Sequence, residues 1–313
     1  MTVGYAGVRV LVLGATGFVG RWVARRLTQE GAAVICGVRN VDAMQAIGHA
    51  YGFATTIVPV DLLRPESVAM LIDSYRPAVT FNLAGYGVDR SEQDVATFWR
   101  INAELVGQLG DLVQRYVPSE HWPGQRLVHT GSALEYGPIG GPLPEDAAAA
   151  PTTLYGITKL AGTLSLGVSS AVTARLFTVY GPGEHDGRLL PSLLHAQRTG
   201  QCVPLSDGRQ QRDFTYIEDV AEGLLRLGRQ PATPGGVVNL ATGRLCSVRE
   251  FAETTATVLG IPTSRLAFGS LPWRADEMPH GAVDVKKLRQ TLGWVPSTSV
   301  ADGVARTASF SRP

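Results

Sequence analysis

With 313 residues, 44% of them apolar, the chain can bury a large core and exceeds the size at which single cores usually divide. Its formal charge is +1, from 28 basic and 27 acidic side chains, and no basic run is long enough to follow a phosphate backbone, so nucleic acid is not an expected partner. Three distant cysteines, Cys36, Cys202 and Cys246, suit neither a disulfide framework nor a CxxC metal site and fit a reducing compartment.

Taken in chain order, short apolar runs alternate with stretches of helical length. VRVLVL (8–13), AAVICGV (32–38), TTIVPV (55–60), AVTFNLA (78–84), QRLVHT (125–130) and AVTARLF (171–177) read as strands. Continuous apolar strands of this kind are buried on both faces, as in a parallel sheet, which makes the expected class α/β. Past 177 proline and glycine become frequent and the strands shorten, predicting a second, smaller unit before VVNLATG (237–243) returns to the first. AAAAP (147–151) reads as a loop. The N-terminus lacks a basic stretch leading into an apolar core, and no run of about 18 apolar residues occurs, so a cytoplasmic protein without a membrane segment is expected.

Between the first strand and the helix after it lies GATGFVG, with Gly14, Gly17 and Gly20. Glycines there allow a tight turn and bring backbone N–H groups and a helix N-terminus onto a pyrophosphate. The bland alternative is a strand-to-helix turn with no ligand. The second strand ends in Gly37-Val38-Arg39-Asn40, with no acid for a ribose 2′-hydroxyl. An arginine suits a 2′-phosphate through charge-assisted contacts, so NADP(H) is favoured and NAD(H) is the alternative. Arg39 as an ordinary surface residue is the competing reading.

TGSALEYG (130–137) sets the Ser132 hydroxyl three residues before the Glu135 carboxylate. YGITK (155–159) sets Tyr155 and Lys159 at i, i+4, on one helix face, in a chain with three lysines in all. An ammonium beside a phenol favours the phenolate, so the Tyr155 pKa is expected to fall from about 10 toward neutrality. A tyrosine so tuned exchanges a proton with a substrate oxygen. The six histidines show no metal-ligand spacing, and no metal is expected.

These motifs, with NLAG (82–85), RLFTVYGPG (175–183), RDFTYIEDVAEGL (212–224) and LGWVP (292–296), occur in one order along nearly the whole chain. Together they resemble an extended short-chain dehydrogenase/reductase of the nucleotide-sugar epimerase/dehydratase group. The resemblance implies a Rossmann-type doubly wound sheet for the dinucleotide, over 1–178 plus about 211–243. It implies a smaller mixed α/β part for a nucleoside-diphosphate sugar, over 179–210 plus 244–313. Implied cofactor contacts are Gly14, Thr16, Gly17, Phe18, Val19 and Gly20 in the turn, Arg39 and Asn40 after the second strand, and Asp61 and Leu62 at the adenine. Leu83, Ala84 and Gly85 lie on the phosphate side, and Phe177 and Val179 complete the set with Tyr155 and Lys159. Ser132 matches the hydroxyl that meets the reacting sugar oxygen, Tyr155 the acid/base, and Lys159 the residue that holds the ribose and tunes the tyrosine. Arg212 and Arg274 match positions that clamp the diphosphate, and Glu277 an acid on the nucleoside ribose. Gly87, Thr178 and Arg188 line the substrate side.

Departures from the family pattern narrow the reaction. Thr178 stands where relatives often carry asparagine, a shorter contact to the sugar. Only a dozen residues separate Lys159 from the strand at Val172, so the catalytic helix is expected to be no longer than about 18 Å. That helix builds the family's usual homodimer, the expected assembly. In the 4,6-dehydratases acids follow the hydroxyl, whereas here Ala133 and Leu134 do. Glu135 is one step late, and is expected to touch a sugar hydroxyl or to pair with the backbone or a residue of the smaller, C-terminal part. Dehydration thereby loses its proton carriers. The expected activity is NADPH-dependent reduction of a nucleotide-linked 4-keto(-6-deoxy) sugar. A 4-epimerase with tightly bound NAD is the first alternative, and a non-catalytic dinucleotide-sensing protein an alternative of another class.

Overall fold

The computed structural model describes residues 4–89, 91–118, 120–139, 141–167, 169–231, 236–273 and 281–310. The first half alternates strand and helix: β1 (Arg9–Leu13), α1 (Phe18–Gln29), β2 (Ala33–Val38), α2 (Val41–Tyr51), β3 (Thr56–Pro59), α3 (Pro65–Tyr75) and β4 (Val79–Asn82). Next come α4 (Val95–Trp99), a π-helical turn (Arg100–Glu104), α5 (Leu105–Arg115), β5 (Leu127–Ser132), α6 (Leu154–Ser165) and β6 (Ala171–Leu176). After these follow β7 (Thr178–Tyr180), α7 (Leu189–Thr199), β8 (Val203–Leu205), β9 (Gln211–Arg212), β10 (Phe214–Tyr216), α8 (Ile217–Gly228) and β11 (Gly236–Leu240). The last are β12 (Cys246–Ser247), α9 (Val248–Leu259), β13 (Leu266–Phe268), α10 (Lys286–Leu292) and α11 (Val300–Ser309).

Among the described residues β1–β6 and β11 form one seven-stranded sheet in the order β11-β6-β5-β4-β1-β2-β3, parallel throughout. The period of two along a strand explains its layering. Val10 and Val12 of β1 face a core shared with Trp22 and Leu27 of α1 and Leu224 of α8, while Leu11 and Leu13 face one shared with Leu71 of α3 and Leu109 of α5. The sheet is thus a Rossmann-type α/β layer covered on both sides, as the apolar runs predict. The first core continues into Leu193 of α7, Phe251 of α9 and Val304 of α11, where Phe214 and Phe251 stack with ring centroids 4.1 Å apart.

Strand order reverses at β1, which lies between β2 and β4. In open α/β sheets the crevice beyond the strands' C-terminal ends at such a reversal is where ligands bind. Gly14, Arg39, Asp61, Leu83 and Phe177 follow the ends of β1, β2, β3, β4 and β6, and Ser132 ends β5. No helix among the described residues is long and apolar enough to cross a membrane.

Candidate functional site

Gly14 has φ +77°, and a Cβ there would stand 2.6 Å from the Ala84 N and the Leu83 carbonyl carbon. Only glycine lets the end of β1 come so near the end of β4. A Cβ on Gly20 would lie 2.0 Å from the Gly14 oxygen, so the helix packs directly on the turn. Gly17 precedes α1 in extended backbone and offers no side-chain cap. The glycines thus draw the turn tight against β4 and α1, and the free N–H groups of the first turn of α1, with Thr16, Phe18 and Val19 beside them, are the donors that suit a pyrophosphate.

At the outer end of the crevice Arg39 is exposed. Asn40 is committed differently: its Oδ1 accepts the Ala43 N–H at 2.9 Å and caps α2. Asp61 accepts the Leu63 N–H at 3.0 Å and lies 3.5 Å from Arg64, which leaves a partly exposed carboxylate beside Leu62.

At the inner end, Thr153 caps α6 by accepting the Gly156 N–H at 3.1 Å. This fixes the helix with Tyr155 and Lys159 one turn apart. At twelve residues α6 is about 18 Å long, at the upper bound set by the spacing to the next strand. The Ser132 hydroxyl, which accepts the Leu134 N–H at 3.2 Å, lies near enough to the Tyr155 phenol to favour its ionised form. Lys159 turns inward, its Nζ donating to the Thr130 carbonyl at 2.5 Å with His129 Nε2 at 3.5 Å. Burial lowers its ammonium to about 8, against the pull of the Glu135 charge. Burial and the Lys159 charge hold His129 well below the ordinary histidine value, so it is neutral.

Two expectations are corrected here. The Tyr155 phenol is not drawn toward neutrality: burial pushes it up to about 12, Glu135 adds to the rise, and Ser132 and Arg188 act the other way. The reason is direction, since the Lys159 ammonium is spent on Thr130 and His129. Glu135 is not placed for a sugar hydroxyl. Residues Ala133–Glu135 form a single 3-10 turn, which folds Glu135 back beneath Ser132. Its Oε1 accepts the Ser132 N–H at 2.7 Å; its Oε2 accepts Arg175 Nε at 2.9 Å and Thr163 Oγ1 at 3.1 Å. With 0% exposure, Glu135 is an internal capping residue.

Asn102, His129 and Arg175 are site residues that sequence reasoning missed. Asn102 lies in the π-helical turn, where such turns often mark functional sites. It accepts the Tyr86 N–H at 3.0 Å and donates to the Tyr86 carbonyl at 2.9 Å and Thr158 Oγ1 at 3.1 Å, tying the loop after β4 to α6. No local pattern announces a π turn, but an asparagine amid apolar residues of a buried helix was a usable signal. In the same loop Gly87 donates its N–H to Glu92 at 2.7 Å and has φ +99°, with the Phe98 ring where a Cβ would be.

Of the residues expected on the substrate side, Arg188 is exposed at the start of α7, its Nη2 3.5 Å from the Val88 carbonyl. Thr178 opens β7, held by its N–H to the Asp213 carbonyl at 3.0 Å, and is half-buried like Val179. Arg212 is half-buried in β9, opposite Cys246 of β12. Arg274 and Glu277 lie outside the described residues. Ser132, Tyr155 and Lys159 thus come together, with Gly85 and Arg188 at the edges.

The family model for the NAD dependent epimerase/dehydratase family matches residues 10–241. A dTDP-6-deoxy-L-talose 4-dehydrogenase (NAD(P)(+)) of Kitasatospora kifunensis is 30% identical, covering 98% of this chain and 98% of its own. A UDP-glucose 4-epimerase of Mycolicibacterium smegmatis is 28% identical, over 97% and 99%. Among solved structures, MoeE5 in complex with UDP-glucose and NAD superposes with a TM-score of 0.80 at 27% identity, over 96% of this chain and 98% of its own. With a glycine cradle at the sheet reversal, and with Tyr155 and Lys159 beside Ser132, the chain belongs to the NAD dependent epimerase/dehydratase family.

Proposed function

We propose that the protein is an NADPH-dependent 4-ketoreductase of a nucleoside-diphosphate 4-keto(-6-deoxy) sugar. The observation that carries this reading is the inventory of proton carriers around Ser132. Ala133 and Leu134 carry no proton and Glu135 is sealed against Arg175, which leaves the Tyr155 phenol, among the described residues, as the acid beside Ser132. One proton carrier suffices to reduce a ketone, whereas dehydration needs more. The 30%-identical relative, named for C4 dehydrogenation of a 6-deoxy sugar with NAD(P), supports the same reading.

A nicotinamide dinucleotide held in this crevice would supply the hydride for C4. Ser132 donates a hydrogen bond to the C4 oxygen, and Tyr155 protonates that oxygen as it gains charge. A phenol near 12 keeps its proton throughout the neutral range, as a general acid must before substrate and cofactor arrive. Lys159 gives two of its three N–H groups to Thr130 and His129, and the third would reach the ribose. Gly14, Gly17 and Gly20 hold the pyrophosphate, Leu83, Ala84 and Gly85 flank it, and Asp61 and Leu62 receive the adenine. Arg39 at the end of β2 meets a 2′-phosphate. Arg188, Arg212, Thr178 and Gly87 face the sugar nucleotide.

The second reading is a 4-epimerase with retained NAD, favoured by the 28%-identical UDP-glucose 4-epimerase. The two separate on one measurement: NADPH absorbance followed with a nucleotide 4-keto-6-deoxy sugar in excess. One NADPH consumed per sugar is the expected result; interconversion of C4 epimers without added reductant would overturn it.

The assembly we infer is a homodimer through α6. Ile157 and Leu164, two turns apart, project from that helix into solvent at 41% and 69% exposure. Sedimentation at twice the chain mass, reduced to one by Leu164→Glu, is the expected behaviour.

A further inference from the structure

Glu135 makes more contacts than a turn requires. One carboxylate reaches the Ser132 backbone at the end of β5, Thr163 on the helix that carries Tyr155 and Lys159, and Arg175 on β6. Arg175 is itself held: its guanidinium lies 4.3 Å from the Tyr136 ring centre, and its Nη1 donates to the Glu145 carbonyl at 3.2 Å. The Tyr136 hydroxyl donates in turn to Asn239 of β11 at 2.8 Å. Gly131 makes room for this arrangement, because a Cβ there would stand 2.5 Å from the Glu135 Oε1. A buried ion pair is poor value for stability alone, since apolar residues of the same volume do as well or better. Its place directly beneath Ser132 points elsewhere.

We propose that Glu135 is a positioning residue for the reaction: its carboxylate, locked by Arg175, fixes the Ser132 hydroxyl relative to α6 and presents one immobile negative charge to the Tyr155 phenol. The proposal rests on Tyr155 as proton carrier. The groups that act on the phenol are Ser132 and Glu135 from β5 and its turn, Arg188 from α7 and Glu92 from the loop before α4. Those around Glu135 are Arg175, Tyr136, Thr163 and Lys159. Of the charges on the phenol Glu135 acts most strongly, and it raises the cost of ionisation. It thereby favours the protonated phenol before the substrate ketone arrives, and it supports the ammonium form of Lys159 in the same way.

The test uses the full-length protein with two replacements. Glu135→Gln keeps the side-chain shape and removes the charge; Glu135→Leu combined with Arg175→Met replaces the pair by apolar groups of similar volume, which keeps the fold. For each, the Tyr155 phenolate is titrated as the ultraviolet difference from the matching protein that also carries Tyr155→Phe, without substrate. The expected result is a phenol midpoint about one unit lower than in the unaltered protein. With substrate, kcat is expected to fall by about ten- to a hundredfold with KM changed less, and the alkaline limb of the rate profile to move down with the phenol. An unchanged midpoint in either folded variant would overturn the proposal. Because the titration needs no sugar, it stands apart from the choice between reductase and epimerase.

Discussion

The two ends of the cleft are built on opposite terms. At the Ser132 end the polar groups are buried and answered: Glu135 by Arg175 and Thr163, Lys159 by Thr130, and Asn102 by Tyr86 and Thr158. At the Arg39 end the side chains stand in solvent, and their bonds are short-range ones within a turn or a cap, as with Asp61 and Asn40. A buried group cannot be altered without leaving its partner uncompensated, so the inner end couples chemistry to stability. The outer end is free of that coupling, and cofactor preference there can change while the fold stays.

The largest effect is expected from Tyr155→Phe. It removes one hydroxyl and should lower turnover by about 10²- to 10⁴-fold while dinucleotide binding, read by fluorescence, stays close to that of the parent. Residual activity above about a hundredth would place the proton elsewhere and break the inner end's claim to the chemistry.

Next is Arg175→Ala, which strands the Glu135 carboxylate at 0% exposure. Breaking a buried pair from one side costs about 3–5 kcal/mol, to be read from urea unfolding. A loss below about 1 kcal/mol, the range of surface pairs, would mean that this pair behaves as an exposed one and that the contrast between the two ends is overstated.

How much of this could be read from the chain differs between the ends for a related reason. The sheet was legible because β1, β4, β5 and β6 are buried along nearly their whole length and are therefore mostly apolar, with most of the polar exceptions gathered toward the site. The glycine turn and the Tyr155–Lys159 spacing were legible because both are local. What escaped depends on chain segments far apart: Glu135 meets Arg175 forty residues on, and Lys159 meets Thr130 from twenty-nine residues away. The expectation of a lowered tyrosine failed for this reason, since helical spacing gives the face on which an ammonium lies and not the partner it chooses. The π-helical turn that aims Asn102 has no local pattern of its own.

Arg39→Asp probes the outer end directly. A charge-assisted bond to a 2′-phosphate contributes about 1.5–3 kcal/mol, so NADPH binding should weaken by roughly ten- to a hundredfold while NADH is weakened far less. Fluorescence titration with both dinucleotides decides it. Equal weakening would show that Arg39 never meets the phosphate, and unfolding by this exposed change would break the separation of preference from stability.

The smallest expected effect, and the one that separates two roles at adjacent positions, is that of Asn40→Ala. The Asn40 Oδ1 already accepts the Ala43 N–H, so the residue stabilises the first turn of α2. Loss of such a cap costs about 1 kcal/mol, because an N–H of the first turn loses its acceptor. The ratio of NADPH to NADH affinity should stay unchanged, since the charge that discriminates between them sits on Arg39. Thermal or urea unfolding gives the first quantity and parallel titrations give the second. A changed ratio with unchanged stability would reverse the assignment, making Asn40 a contact to the cofactor and its bond to Ala43 dispensable.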